Sequence, residues 1–452
     1  MMTKPHPVPG PPYLRWVHWF AVLFTLALAG CAGQAATPTA NVTPAPPSTS
    51  ATARPATSAS VVPPTLPPPP ATPTPLVATG KPLVIGQLTN LSGALRRYGE
   101  METRGFALGL EYATKGTNIV AGRALRVVVR DTEGKPELAT ELARQLIQTD
   151  GAELLQCCAN SAVAMAVQQV AKETQKVLMI DPAASPELSG QSFNRYTFRT
   201  SRTTDQDILA AAAYLTKNGG TTFAQLAPDD AFGRGTATAW RKAVEQAGGK
   251  FIIDDLFISP ETTDFASVLQ RVQDAKPQVF VITWAGDGFE ELFARLQQVE
   301  LTRQMTVATV FSDNVSIRGA YGGVTDLVGP IVYHYALPKN LVNDWLVAQH
   351  QRRFGTPPDI YTAGGMAAGI ALVEALKKTG GETDADKLIA ALEGLTFDSP
   401  KGKMTLRAED HVALQTMYVV RLKNTTDPQL RFFDLLAERK PEDTAPPVNV
   451  TR

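Results

Sequence analysis

Residues 153–188 read ELLQCCANSAVAMAVQQVAKETQKVLMIDPAASPEL, and this stretch decides the fold predicted for the chain. The apolar run Leu154–Cys158 predicts a buried strand, and the polar residues 159–161 predict a tight turn. Valine and alanine then recur at helical spacing, and a second apolar run, Val177–Ile180, predicts another strand. Both loops should therefore open at the carboxyl edge of a parallel sheet, where open α/β sheets bind ligands.

The two loops of this stretch carry residues suited to a small polar ligand. Ser161 places a hydroxyl at a helix N-terminus, where free backbone N–H groups favour an anion. Ala183, Ala184 and Ser185 are small enough to let a ligand approach the second loop's backbone. We predict that these loops hold the carboxylate and the ammonium of a small molecule.

The composition argues against nucleic acid as a partner. Lys and Arg number 43, as do Asp and Glu, so the formal net charge of the 452 residues is zero. The three cysteines include the neighbours Cys157 and Cys158. Because adjacent cysteines rarely form a good disulfide, we predict two buried, unpaired thiols.

Residues 1–31 have the form of an export signal. Lys4 and Arg15 supply positive charge, and the apolar run at 16–29 is shorter than the ~20 residues that span a bilayer. The run ends Leu-Ala-Gly-Cys at 28–31, which resembles the lipobox of bacterial lipoproteins. That resemblance implies that Cys31 carries lipid; the alternative is a cysteine that follows an ordinary signal peptide by chance.

Residues 32–80 are rich in Pro, Thr, Ala and Ser, a composition that cannot bury a core and favours extended polyproline II structure. We predict a disordered stalk between Cys31 and a folded body. From residue 81 onward, strand and helix patterns alternate in two similar series, which predicts two α/β lobes with parallel central sheets. Gly402–Arg407 and Gln415–Leu422 are interpreted as a closing β pair, and residues 438–452 as a polar tail.

Several local patterns, taken in order, resemble the periplasmic leucine/isoleucine/valine-binding protein family. They are Leu91-Ser92-Gly93 before Tyr98-Gly99, MIDPAASPEL at 179–188, Phe232-Gly233, and Phe354-Gly355 before Tyr361. The resemblance covers Pro82–Leu436 and implies a type I periplasmic-binding-protein fold, in which a three-segment hinge joins two Rossmann-like lobes. The implied lobes are 81–200 with 336–398, and 201–335 with 399–437. Chain crossings are expected near 200–202, 334–336 and 399–402.

The resemblance also implies a function. The chain would be an extracytoplasmic lipoprotein, lipid-anchored to the cell membrane, that serves an ABC importer as a monomer. It would bind a small amino acid of the branched-chain type by hinge closure, and the closed form would dock on the membrane permease. The alternatives are a ligand-sensing subunit, or a binder of urea, an amide or an aromatic acid.

The resemblance implies a ligand role for seven residues. Ser161 would bond the carboxylate, while the Ala183 carbonyl and the Ser185 hydroxyl would hold the head group. Asp313 would accept the ammonium, and aromatic walls would come from Tyr98, Phe232 and Trp284. Plainer interpretations remain open: an N-cap for Ser161, a turn for Ser185 or Asp313, a surface ring for Tyr98, and core packing for Phe232 or Trp284.

Catalytic and cofactor motifs are absent from the sequence. His334, His350 and His411 have no metal-ligand spacing, and Cys157-Cys158 lacks the two-residue gap of a zinc site. The sequence contains no GxxxxGK phosphate loop, no dinucleotide-binding loop and no GxSxG elbow. We therefore predict a binding protein that is not an enzyme and has no cofactor or metal.

Overall fold

The computed structural model describes residues 77–93, 95–284 and 288–450. The predicted signal peptide with Cys31 and residues 32–76 of the predicted stalk lie outside that range. Within the described residues, no helix combines the length and the apolar character needed to cross a membrane.

The first sheet is built around the stretch at 153–188. Within the described residues its strands are β1 (Leu83–Thr89), β2 (Ile119–Val120), β3 (Arg123–Asp131), β4 (Leu154–Cys157), β5 (Leu178–Ile180) and β6 (Thr197–Arg199). They lie in the order β2-β3-β1-β4-β5-β6, and all pairs except β2–β3 are parallel. The helices that alternate with them are α1 (Arg96–Ala113), α2 (Pro136–Gln148) and α3 (Ser161–Thr174).

The second sheet repeats this plan. The chain continues through α4 (Thr204–Asn218), β7 (Thr222–Pro228), α5 (Ala231–Gln246), β8 (Lys250–Phe251), β9 (Leu256–Ile258), α6 (Ala266–Ala275), β10 (Val279–Ile282), α7 (Phe289–Gln298), α8 (Leu301–Gln304), β11 (Thr306–Thr309), α9 (Asn314–Ala320) and β12 (Val328–Ile331). The remaining elements are α10 (Leu341–Phe354), α11 (Ile360–Lys378), α12 (Ala385–Leu392), β13 (Thr396–Ser399), β14 (Gly402–Leu406), β15 (Ala413–Leu414), β16 (Met417–Leu422) and β17 (Phe433–Arg439).

In the part of the chain that the structure describes, the second sheet runs β17-β16-β12-β11-β10-β7-β8, with β9 also beside β7. Its centre is parallel, and β16 and β17 join it antiparallel at one edge. The two predicted lobes with parallel central sheets are confirmed. We call the lobe of the first sheet the first lobe and the lobe of the second sheet the second lobe.

The predicted closing β pair and the third crossing are wrong. β14 pairs with β13 and β15 in a small antiparallel sheet, while β16 pairs with β12 and β17. Ser399 and Gly402, the predicted crossing, face each other in the β13–β14 hairpin. The Ser399 hydroxyl stabilises that turn, because it donates to the Gly402 carbonyl and accepts from the Lys401 N–H. The chain enters the second sheet only between Leu414 and Met417.

The end of the chain is also more ordered than a polar tail. β17 extends to Arg439, and a 3-10 helix follows at Pro441–Thr444. The side chain of Thr444 is fully buried, and the Pro446 carbonyl accepts a hydrogen bond of 2.8 Å from the Arg407 guanidinium. β17 is an edge strand with mostly exposed or half-buried residues, and its last two residues, Glu438 and Arg439, lack an apolar signal.

The two cysteines of the opening stretch are fully buried, as predicted, but they are not unpaired. Cys157 and Cys158 form a disulfide between adjacent residues, and the peptide bond between them is cis. Nothing in the sequence indicates that geometry.

Helices α1 and α11 pack with their backbones in direct contact. A β-carbon at Gly105 would lie 2.1 Å from the Thr362 carbonyl oxygen, and one at Gly109 would lie 2.3 Å from the Met366 carbonyl oxygen. Only glycine allows this approach. The close packing fixes α1 and α11 against each other in the first lobe.

Candidate ligand-binding site

The loop after β4 presents Ser161 as the first residue of α3. The N-cap of that helix is Asn160, whose Oδ1 accepts hydrogen bonds from the N–H groups of Ala162 (2.8 Å) and Val163 (3.1 Å). The N-cap role considered for Ser161 therefore belongs to its neighbour. The Ser161 Oγ instead accepts a hydrogen bond of 3.3 Å from the Ser185 N–H, which ties the two predicted loops together.

The loop after β5 orients Ser185 and buries Ala183. Ser185 caps the 3-10 helix at Pro186–Ser189, because its Oγ accepts from the Glu187 N–H at 3.2 Å. The Ala183 carbonyl accepts from Arg199 Nη2 at 2.6 Å and from Ser201 Oγ at 2.7 Å. Since both of its lone pairs are used inside the protein, this carbonyl does not fit the predicted ligand role.

Two neighbouring cavities lie between the lobes, and residues of both lobes line them. The outer cavity has a volume of about 550 Å³, and the inner cavity about 220 Å³. The outer one is lined from the first lobe by Ser161, Ala184, Ser185, Pro186 and Glu187, and from the second by Thr204, Asp205, Ile208, Phe232, Gly235, Thr236 and Ala239. The inner one is lined by Ala184, Arg202, Thr204, Asp207, Ile208, Phe232, Thr236, Trp240, Ile282, Thr283, Trp284, Phe289, Thr309 and Val310.

The aromatic walls of these cavities come from the second lobe. Phe232 lies in the first turn of α5 and is 49% exposed, so it is not ordinary core. Trp284 follows β10 and is nearly buried, with its ring edge-on to Phe265 at a centroid distance of 5.2 Å. Phe232 lines both cavities and Trp284 lines the inner one, where they offer apolar surface to a ligand.

A buried ion pair that the sequence analysis missed lies in the inner cavity. Arg202 Nε is 3.1 Å from Asp207 Oδ2, and the side chains are 15% and 2% exposed. Asp207 Oδ1 has no hydrogen-bond partner among the described residues. Burial raises the pKa of Asp207 to about 6, while the nearby Arg202 charge opposes that rise. The guanidinium can donate hydrogen bonds, and Asp207 Oδ1 is a buried acceptor without a partner among the described residues.

Asp313, the predicted ammonium partner, is already engaged. Its Oδ1 caps α9 by accepting from the N–H groups of Val315 and Ser316, and its Oδ2 accepts from the Ser316 hydroxyl at 2.7 Å. Arg97 of α1 completes the set, with its Nε 3.1 Å from Oδ1 and its Nη2 3.2 Å from Oδ2. The side chain of Asp313 is fully buried and lines neither cavity, so its surroundings do not suit the predicted role.

Tyr98 also lies beside this charge pair rather than in the cavities. Its ring centroid is 4.4 Å from that of Tyr361, and the Arg97 guanidinium lies 5.4 Å from it. Burial and the nearby Asp313 charge raise the pKa of the Tyr98 phenol. The structure thus brings four predicted residues to one site: Ser161, Ser185, Phe232 and Trp284.

The described residues contain no cluster of His, Cys, Asp and Glu side chains that could hold a metal ion. The site is therefore described by its hydroxyls, its ion pair and its aromatic walls.

Comparison with known proteins agrees with this architecture. A family model described as "Periplasmic binding protein" matches residues 82–427. The Leu/Ile/Val-binding protein homolog 6 of Brucella abortus is 25% identical over 344 residues, which cover 72% of this chain and 85% of that protein.

Two solved structures extend the comparison. An ABC-type branched-chain amino acid transporter from Rhodopseudomonas palustris is 37% identical, with a TM-score of 0.75, and covers 82% of this chain and 100% of its own. An ABC transporter solute-binding protein from the same species, solved in complex with benzoate, is 25% identical with a TM-score of 0.66. That match covers 79% of this chain and 96% of its own.

Proposed function

Because the chain belongs to the periplasmic binding protein family, we propose that it is the extracytoplasmic solute-binding component of an ABC importer and binds a small amino acid of the branched-chain type. The observation that carries this proposal is the juxtaposition, around one pair of cavities, of Ser161 and Ser185 from the first lobe with Phe232 and Trp284 from the second. The relatives named for branched-chain amino acids support the ligand class.

The cavities supply each kind of contact that such a ligand needs. The Ser161 and Ser185 hydroxyls and the Arg202 guanidinium can donate to a carboxylate, and the free Oδ1 of Asp207 can accept from an ammonium. The aliphatic side chain would pack on Phe232 and Trp284. Asp207 thereby takes the role first predicted for Asp313.

The test is a calorimetric titration of the purified protein with leucine, isoleucine, valine and benzoate. The bound amino acid, at a hundred times its Kd, should stabilise the fold by about 2.7 kcal/mol. Ser161→Ala should weaken its binding about tenfold or more, because a hydrogen bond to a charged group contributes about 1.5–3 kcal/mol. Ser192→Ala changes a serine of the first lobe that lines neither cavity, and should leave the affinity unchanged. Failure of every amino acid in the panel to bind would reject the amino acid class.

An aromatic carboxylate is the second candidate. The inner cavity combines Arg202 with the rings of Trp284 and Phe289, and the benzoate complex of a 25% identical relative shows that such a ligand suits the fold. Asp207→Asn separates the two, because it removes the negative charge opposite an ammonium. The variant should lower affinity for an amino acid about tenfold or more and leave benzoate affinity unchanged or higher. The opposite pattern would favour the aromatic acid.

We extend the proposal to membrane attachment through Cys31, which lies outside the described residues. The supporting observation is the Leu-Ala-Gly-Cys sequence at 28–31 after an apolar run. Cys31→Ala should release the protein from the membrane fraction of the expressing cells. Retention of the variant in that fraction would contradict the lipid anchor.

A further inference from the structure

Outside the two cavities, α9 of the second lobe meets α1 of the first. The Arg97 guanidinium reaches across with Nε 3.1 Å from Asp313 Oδ1 and Nη2 3.2 Å from Asp313 Oδ2. The same Nη2 also donates to the Ser316 hydroxyl at 3.2 Å. The Nη2–Oδ2 contact is a hydrogen bond, whereas the Nε–Oδ1 contact is an ion pair without hydrogen-bond geometry.

A second hydrogen bond crosses beside this ion pair. The Asn314 N–H donates to Asp359 Oδ2 at 2.9 Å, while Asp359 Oδ1 accepts from the Ile360 N–H at the start of α11. Asn314 is the first residue of α9, and the N–H groups of a helix's first turn have no partner inside the helix. Its amide is therefore protected by a residue of the opposite lobe.

The role of Arg97 is separate from helix capping. Asp313 caps α9 through Val315 and Ser316 of its own lobe, and Arg97 takes no part in those bonds. Its neighbour Arg96 pairs within its own helix, with Nε 2.7 Å from Glu100 Oε1. Of the two neighbouring arginines, Arg97 is thus the one that joins the lobes.

We propose that the Arg97–Asp313 ion pair is a latch that sets the equilibrium between open and closed lobes, independently of the ligand. Arg97 is then a positioning residue, because it acts on the cleft through the lobe that carries Asp313. If closure is needed for tight binding, the apparent Kd of any ligand is inversely proportional to the closed fraction. Loss of the latch should therefore weaken every ligand by the same factor. The proposal goes beyond the ligand assignment, because it holds whichever small molecule occupies the cavities.

The first test needs no ligand. Hydrogen exchange of the Asn314 amide is measured in the full chain for the wild type, Arg97→Gln and Arg96→Gln. The latch predicts exchange about 1.5- to fivefold faster in Arg97→Gln, the range for one partly exposed charge pair, and unchanged exchange in Arg96→Gln. Equal exchange in all three proteins would overturn the proposal, and so would equal acceleration by both variants.

The second test uses chemically different ligands, here valine and benzoate, titrated into the same variants. Arg97→Gln should raise the Kd of each bound ligand by one common factor that matches its effect on Asn314 exchange. A loss confined to one ligand would make Arg97 a ligand contact and overturn the latch. Asp313→Asn keeps an oxygen for the helix cap and should give a similar factor, with no further loss when combined with Arg97→Gln; additive losses would contradict a direct pair.

Discussion

The lobes face each other in two different ways, and the difference separates recognition from closure. Around Ser161, Ser185, Phe232 and Trp284 they leave a pair of cavities with unused hydrogen-bonding groups. Around Arg97, Asp313 and Asp359 they meet in direct hydrogen bonds. We propose that the ligand binds in the first region, while the second is complete without one. Substitutions in the two regions should therefore have distinguishable effects.

The largest effect is expected where α1 and α11 touch, because their packing positions the latch. Gly105→Ala would place a methyl group against the Thr362 carbonyl, 2.1 Å away in the present geometry, and should lower the free energy of unfolding by about 3 kcal/mol. Gly319→Ala is the control, since among the described residues no atom outside its own stretch of helix lies within 4 Å of the new methyl group, and helix propensity favours alanine by up to about 1 kcal/mol. Chemical denaturation measures both. Equal stability of the two variants would mean that the helices can separate without cost.

Acid should lower the free energy of unfolding through His334, which lies at the predicted second chain crossing. His334, between β12 and α10, is buried, and burial lowers its pKa to about 4; its Nε2 lies 2.7 Å from the Leu430 carbonyl. The unfolded chain, with a pKa near 6.5, binds the proton first as the pH falls. The stabilisation is complete above pH 6.5 and is lost as the pH falls toward 4, by about 3 kcal/mol in total.

The measurement is the unfolding free energy at pH 7 and pH 4.5 for the wild type and His334→Gln. The difference between the two pH values should be smaller in the variant by about 2–3 kcal/mol. An identical difference in the two proteins would show that other groups carry the acid sensitivity.

The cavity walls should give a smaller and ligand-dependent effect. Trp284→Ala should weaken binding by about 1–3 kcal/mol, because the nearly buried ring already lines the inner cavity. Phe232→Ala should cost less, since its ring is half exposed without ligand. Calorimetric titration with the best ligand compares them, and a larger loss at Phe232 would indicate that the ligand remains in the outer cavity. Unlike the latch variants, these should change the ranking of ligands.

The sequence predicts the serines of the cavities better than the ion pair beside them. Ser161 and Ser185 follow strands of a parallel sheet, so the strand pattern alone brings them to one edge. Arg202 and Asp207 straddle the first chain crossing, where no periodicity indicates which way a side chain points. The charged residues that follow β6 could have indicated them, because a chain crossing between lobes lies beside the cleft.

Local sequence patterns do not predict the latch or the small antiparallel sheet. Asp313 has the right chemistry for an ammonium, but a guanidinium 216 positions earlier in the chain meets it in the fold. β13 and β14 are short strands in which buried and exposed residues alternate, but alternation does not tell which strand pairs with which. In both places the partner is fixed by tertiary contact rather than by neighbours in sequence.

The most direct measurement is a crystal structure of the complex with whichever small molecule stabilises the protein most. The proposed function predicts one molecule in contact with Ser161 or Ser185 on one side and with Phe232 or Trp284 on the other, with Arg97 still bound to Asp313. A ligand held by residues of a single lobe, or one that displaces Arg97 from Asp313, would contradict the separation of recognition from closure.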